Sequence, residues 1–340
     1  MRFTKTVIHS LSMPYAVGTF SMGRAGTPPS VVCATEDHGP AVISDPPYRT
    51  ARVLCPGPGG CMSLLEDPDR PADLYAIMGC FVGYKFQGGG VYRIRGTGPI
   101  QRVIDLPFAH RIGIVRRAGR RYLLAAAIAE DKKEPADWSR PGTVYAAEMD
   151  GPDAPLHLVP ILPGITRNHG LLSCRFEGRS SVLISGAEGL FCLDLESGGA
   201  SWTSRKVLGQ EISEIAVADL DGDGRDELVT IEPFHGSVMR AYRRTEAGWS
   251  AFWETELSFG HCVLAGVLQG CPSVLVSSRT GSKDLLLFQF SAEAPSRPQR
   301  VVVDPGAAAA NMIALPVGGA DRIFSANQGA GELVMYTPGA

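Results

Sequence analysis

The sequence predicts an all-β chain folded as a seven-bladed β-propeller, and three observations carry that expectation. Of 340 residues, 40 are glycine and 25 are proline, an excess that suits many short elements joined by tight turns. A unit of two apolar strands separated by a turn recurs every 44 to 59 residues, starting near Tyr15, Cys61, His110, His169, Ser213, His261 and Asn311. No segment shows the 3.6-residue apolar period of a helix. Four short strands per 40–50 residues, repeated four to eight times, is the propeller pattern.

The clearest copies are AHRIGIVRRAGRRYLLAAAI from Ala109, NHGLLSCRFEGRSSVLISG from Asn168 and GHCVLAGVLQGCPSVLVSS from Gly260, each with a histidine before the first strand. SEIAVADLDGDGRDELVTIE from Ser213 and NMIALPVGGADRIFSAN from Asn311 fit the frame without it. Weaker copies begin near Tyr15 and Cys61. A third strand follows in most units, such as VYRIR from Val91, LFCLDL from Leu190 and VMRAYRR from Val238. A fourth is visible as QRVID from Gln101, RKVLG from Arg205 and RVVVD from Arg300. The last unit ends after its third strand, while residues 3–8 read as a fourth strand lying before the first unit. The N-terminal strand is therefore expected to complete the seventh blade, which leaves no open edge. Residues 1–340 then form one domain.

Composition excludes several classes. A net charge of −3, from 32 basic and 35 acidic residues, speaks against a nucleic-acid or anionic-membrane partner. No apolar run approaches a membrane span, and the N-terminus lacks the apolar stretch of a secretory signal. The eight cysteines form no CxxC pair, consistent with reduced thiols packed as small core residues in a cytoplasmic protein. HExxH, GxSxG and GxxxxGK[ST] are absent, and GPGPGG from Gly57 reads as a turn.

Asp219-Leu220-Asp221-Gly222-Asp223-Gly224-Arg225-Asp226-Glu227 resembles the calcium loop of FG-GAP (VCBS-type) propeller repeats. Calcium takes six to eight oxygens, and glycines allow the tight turn around it. The resemblance implies calcium held by Asp219, Asp221, Asp223, the Arg225 carbonyl and Glu227, with a structural role. Thr230-Ile231-Glu232-Pro233-Phe234-His235-Gly236, together with the histidines opening the first strands, is similar to the propeller domain of aldos-2-ulose dehydratase. That family comprises metal-dependent lyases of keto-sugars with a seven-bladed propeller followed by cupin-like domains. The 340 residues hold no stretch for cupins, so any isomerase step performed there is expected to be missing.

In a propeller, loops entering the first strand and loops joining the second to the third share one rim. His110, His169 and His261 open first strands, His38 and His235 sit in second-to-third loops, and His9 precedes the first unit. His157 alone belongs to an outer strand. Six of seven histidines thus map to one face, with Glu36, Asp37, Glu130, Asp131, Glu188, Glu232 and Asn327. Two readings stand for the first-strand histidines: repeat residues bonded to one another or to water, or a metal site. In the second, His110, His169 and His261 hold a transition metal, zinc by preference, with an open position for substrate.

His235 or His38 then serves as general base and Glu232 protonates the departing hydroxyl. Ser213, occupying a histidine slot, leaves a gap for substrate, while Asn311 and Arg167 contact it. Cys61 reads as a packed thiol. The expected activity is a metal-dependent lyase (dehydratase) acting on a keto-sugar or related polyol ketone, a small-molecule carbohydrate substrate. An epimerase or isomerase would use the same parts. The alternative of another class is a non-enzymatic propeller binding a glycan or protein on that rim. The long loop from Glu130 to Pro141 suits a lid or a homodimer contact.

Overall fold

The computed structural model describes residues 2–81, 86–151, 153–197, 199 and 201–339. Seven four-stranded antiparallel sheets are arranged as the blades of a propeller. Their innermost strands are Pro14–Phe20, Ser63–Glu66, Ala109–Arg117, Leu171–Phe176, Ile215–Ala218, Gly260–Leu268 and Ala309–Val317. In six blades the strands pair in chain order; in the seventh, Phe3–Ser10 lies outermost against Glu332–Pro338. That ladder runs from Phe3 opposite Pro338 to Ser10 opposite Glu332, so the two ends of the chain close the ring. No helix among the described residues is long and apolar enough to cross a membrane.

Burial explains why each strand has its composition. Second strands such as Ser30–Thr35, Asp73–Met78 and Glu227–Glu232 are buried at every position because a neighbouring blade covers each face. They read as continuous runs rather than alternating ones. Alternate residues then feed two different cores. Val274 and Val276 pack with Val229 and Ile231 of the fifth blade, whereas Leu275 joins Ile323 and Val334 of the seventh. Each such side chain contributes about 1.5–3 kcal/mol by leaving water. Outer strands such as Ser204–Leu208 are mostly exposed.

Several elements differ from the sequence expectation. Blades one, three and five also have fourth strands, Arg52–Cys55, Val159–Ile165 and Gly248–Glu256, whose mixed polarity hides them among loops. His157 is exposed and precedes Val159–Ile165 instead of lying in a strand. His9 belongs to the outermost strand of the seventh blade, at an irregularity between Val7 and His9, and so is far from the axis. All eight cysteines are free thiols.

Candidate functional site

One backbone device aims side chains at the axis. The pairing of the first two strands skips a residue at Tyr15, His110, His261 and Ala310, and such a bulge redirects the side chain of the extra residue. Two positions before each bulge stands a non-glycine residue in the left-handed region: Met13, Phe108, Phe259 and Ala308. Arg167 does the same ahead of His169. The axial positions of the seven blades are therefore Tyr15, Cys61, His110, His169, Ser213, His261 and Ala310. Asn311 was assigned one position too far along; its Oδ1 accepts the Met312 N–H, and the axial residue of its blade is Ala310.

Three imidazoles converge, and they are not the three expected. One nitrogen each from His169, His235 and His261 lies within 4.8 Å of the other two. His110 stands beside them, 4.6 Å from His169 between ring centroids, but outside that cluster. His235 reaches it from the loop after Glu227–Glu232, in a left-handed conformation with φ 49°. Gly236 permits this turn, because a Cβ there would meet the Glu232 carbonyl oxygen at 2.1 Å. The His235 ring is stacked between Phe234 and Phe259, at 3.9 and 4.5 Å.

Neighbours fix the tautomers. His261 Nδ1 donates to the Ala310 carbonyl at 2.7 Å, which leaves Nε2 unprotonated, accepting from the Tyr15 hydroxyl at 3.2 Å. His169 Nδ1 lies 2.5 Å from Glu214 Oε1 and 3.1 Å from Arg111 Nη2. The closer carboxylate oxygen accepts from Nδ1–H, so Nε2 carries no proton, and it is buried with no hydrogen-bond partner among the described residues. Arg111 donates to the same Glu214 oxygen at 2.6 Å. An imidazole anchored through Nδ1 by a carboxylate or carbonyl, with Nε2 unprotonated, is the arrangement of a metal-binding histidine. Glu214, one residue beyond an axial position, and Tyr15 were not anticipated. Their signal is a polar side chain at the start of an inner strand.

Burial holds all four histidines neutral. His110, His169 and His261 lie well below the ordinary imidazole value, mainly through burial and then through charges such as Arg111. His235 is lowered to about 3 by burial and then by Arg279. The unfolded chain therefore takes up protons first as pH falls below about 6.5, and stability is lost in that window. His235 alone costs roughly 2 kcal/mol by pH 5, and the other three act in the same direction. Glu214, raised by burial against the pull of Arg111, acts in the opposite sense. Metal-free protein should thus show a markedly lower urea midpoint at pH 5 than at pH 7.5; equal midpoints would contradict the buried neutral state.

The cluster opens into a cavity of about 410 Å³ lined by His110, His235 and His261. Its walls are aromatic, from Phe86, Trp138, Phe234 and Phe259, and its charged lining residues are Glu36, Lys132 and Arg279. Trp138 and Lys132 come from the long loop after Arg120–Ala127. Asp137 ties that loop to itself by accepting the Lys133 and Ser139 N–H groups.

Other expected site residues stand elsewhere. Glu232 accepts from Thr230, Tyr242 and Arg240, a network inside its own blade that turns it from the cavity. His38 is exposed and stacked on Phe81 at 4.0 Å, outside the lining. Arg167 lies behind the aromatic wall, over Trp138 and Phe234, and is paired with Glu211 at 2.7 Å. Ser213 opens no gap: it is fully buried and its Oγ accepts the His235 N–H at 3.2 Å. Cys61 is buried, and its thiol faces the Ser63 carbonyl.

The acidic loop of the fifth blade joins Ile215–Ala218 to Glu227–Glu232. It brings Asp219, Asp221 and Glu227 together, with carboxylate oxygens within 4.8 Å of one another. Asp223 stands apart from that group and accepts the Arg225 N–H. Glu227 is pushed up to about 7, chiefly by burial, so a cation there would relieve an unfavourable carboxylate. Calcium at 100 times its dissociation constant should add about 2.7 kcal/mol of stability. Thermal denaturation with calcium and with EDTA reads this out, and Asp219→Ala should erase the difference.

No curated protein sequence matches the chain. Solved structures share its fold at low identity. The BBS1N chain of a complex with ARL6DN aligns over 100% of this chain and 98% of its own, at TM-score 0.62 and 13% identity. A gluconolactonase from Xanthomonas campestris aligns over 98% and 88%, at TM-score 0.52 and 12% identity. An ancestral GH74 enzyme aligns over 97% of this chain and 45% of its own, at TM-score 0.62 and 11% identity. Residues 213–248 match the family model of the FG-GAP repeat, so the fifth blade of this seven-bladed propeller carries an FG-GAP repeat.

Proposed function

We propose that the protein is a metal-dependent lyase that dehydrates a polyhydroxylated ketone in the cavity above His169, His235 and His261. The observation that carries this reading is the meeting of three neutral imidazole nitrogens within 4.8 Å, two of them with Nδ1 anchored and Nε2 unprotonated. Three neutral nitrogens with room above them fit a transition metal such as zinc better than calcium. A divalent ion there supplies a Lewis acid for the substrate carbonyl. The aromatic walls exclude water around the bound ketone. His110, which lines the cavity and whose Nδ1 has no hydrogen-bond partner among the described residues, accepts the proton from the carbon next to the carbonyl. The proton held by His110 then passes to the hydroxyl on the following carbon, which departs as water and leaves a conjugated enone. Tyr15, which lines the cavity and donates to His261 Nε2, would be released to donate to a substrate oxygen once that nitrogen holds a metal.

The test joins metal analysis to product detection. The purified protein should carry close to one equivalent of a transition metal, and His169→Ala and His261→Ala should lose it while remaining folded. Keto-sugars incubated with the loaded protein should then give ultraviolet absorbance from an enone. A protein that holds only calcium, unchanged in both variants, would overturn the proposal in favour of a glycan- or protein-binding propeller.

A further inference from the structure

The cavity lining includes a largely buried cation that forms no ion pair among the described residues. Lys132 is 6% exposed. Its Nζ donates to the Pro135 carbonyl at 2.5 Å and lies 3.3 Å from the centroid of the Trp138 ring. No carboxylate among the described residues forms an ion pair with it. Burying an ammonium without a counter-charge is unfavourable, and such groups are ordinarily paired. Its loop nevertheless holds it there: Asp131, the adjacent acid, pairs with Arg140, and Asp137, the acid whose charge acts on Lys132, is occupied by backbone N–H groups and the Ser139 hydroxyl.

Arg279 lines the same cavity and is 20% exposed at its side chain. Glu36 is 3.7 Å from it and already accepts a hydrogen bond from Gln328 at 2.6 Å. Among the described residues the lining thus carries two cations against one carboxylate, and a divalent ion on the imidazoles would add to the excess. Electrostatic complementarity then calls for an anionic guest.

We propose that the molecule taken into this cavity is a hydroxylated carboxylic acid, a 2-oxo sugar acid rather than a neutral ketose, with its carboxylate received by Lys132 and Arg279. This rests on the preceding reading for the carbonyl end of the substrate, but the anion site itself does not require metal. A planar carboxylate with a single charge suits two separate cations set among aromatic rings. The described site has no cluster of backbone N–H groups of the kind that receives a phosphate.

Calorimetric titration of the full-length protein with three probes tests it: D-fructose, 2-keto-D-gluconate and fructose 6-phosphate. The second is the first with C1 oxidised to a carboxylate, so the pair isolates that group. The acid should bind roughly tenfold or more tightly than fructose. Lys132→Met and Arg279→Gln should each remove most of that preference while leaving metal content unchanged. Equal affinities, no binding by any probe, or a preference retained in both variants would overturn the proposal; tightest binding by the phosphate would overturn the choice of carboxylate. A protein that takes up no transition metal yet still prefers the acid would count against the metal-centred reading and leave the anion site standing.

Discussion

His235→Ala is expected to abolish stoichiometric binding of a transition metal, whereas His110→Ala leaves it intact. The argument is geometric. His235 shares the nitrogen cluster with His169 and His261, while His110 stands next to His169 outside it. Loss of an outer partner such as the Glu214 carboxylate typically costs 10–100-fold in affinity. Glu214→Gln should therefore weaken binding by about that factor, and removal of a direct ligand should cost more. Zinc titration of dialysed protein ranks the three variants. If His110→Ala lost the metal and His235→Ala kept it, the cluster assigned here would be wrong.

The second large effect is on stability. Arg111 and Glu214 are 11% and 14% exposed at their side chains and pair at 2.6 Å, bridging blades three and five beneath His169. Arg111 also donates to the Met62 carbonyl at 3.1 Å, which links the second blade. Arg111→Met leaves the Glu214 charge buried and unpaired, a change that costs about 3–5 kcal/mol. Arg111→Met with Glu214→Leu removes both charges and should recover most of that loss, yet it should not restore metal affinity, because His169 then lacks its anchor. Denaturant melts beside metal titrations separate the two roles. A single variant as stable as wild type would show that the pair contributes little.

Stability and binding therefore meet at one pair of residues, and this bears on what could be read from the chain. The fold was legible because a propeller is a local repeat: each blade needs its own two apolar strands and turn, and those recur as AHRIGIVRR and GHCVLAGVL with their partners. Closure by residues 3–8 was legible because the last unit lacks a strand that the N-terminus supplies. The outer strands of blades one, three and five were not, since exposed strands need no apolar signature. His169 and His261 were likewise visible as residues opening inner strands. The imidazole cluster differs in one member from the expected trio because His235 enters from another loop, and the distance between two loops of different blades leaves no trace in either.

Seven repeats, a ring closed by its N-terminal strand, the histidines that open inner strands and an acidic loop in the fifth blade are all written in the order of the residues. Those are short-range properties of strand composition, turn chemistry and repeat length. Only the tertiary structure decided that His235 replaces His110 in the cluster, that Glu214 and Ala310 orient the imidazoles, and that Glu232 turns into its own blade. It alone placed Lys132 in the cavity with no carboxylate partner among the described residues. These depend on a one-residue bulge at the axis and on the meeting of side chains from blades far apart in the chain. The physical reason is that a strand bulge changes which way a side chain points without changing which residues are apolar.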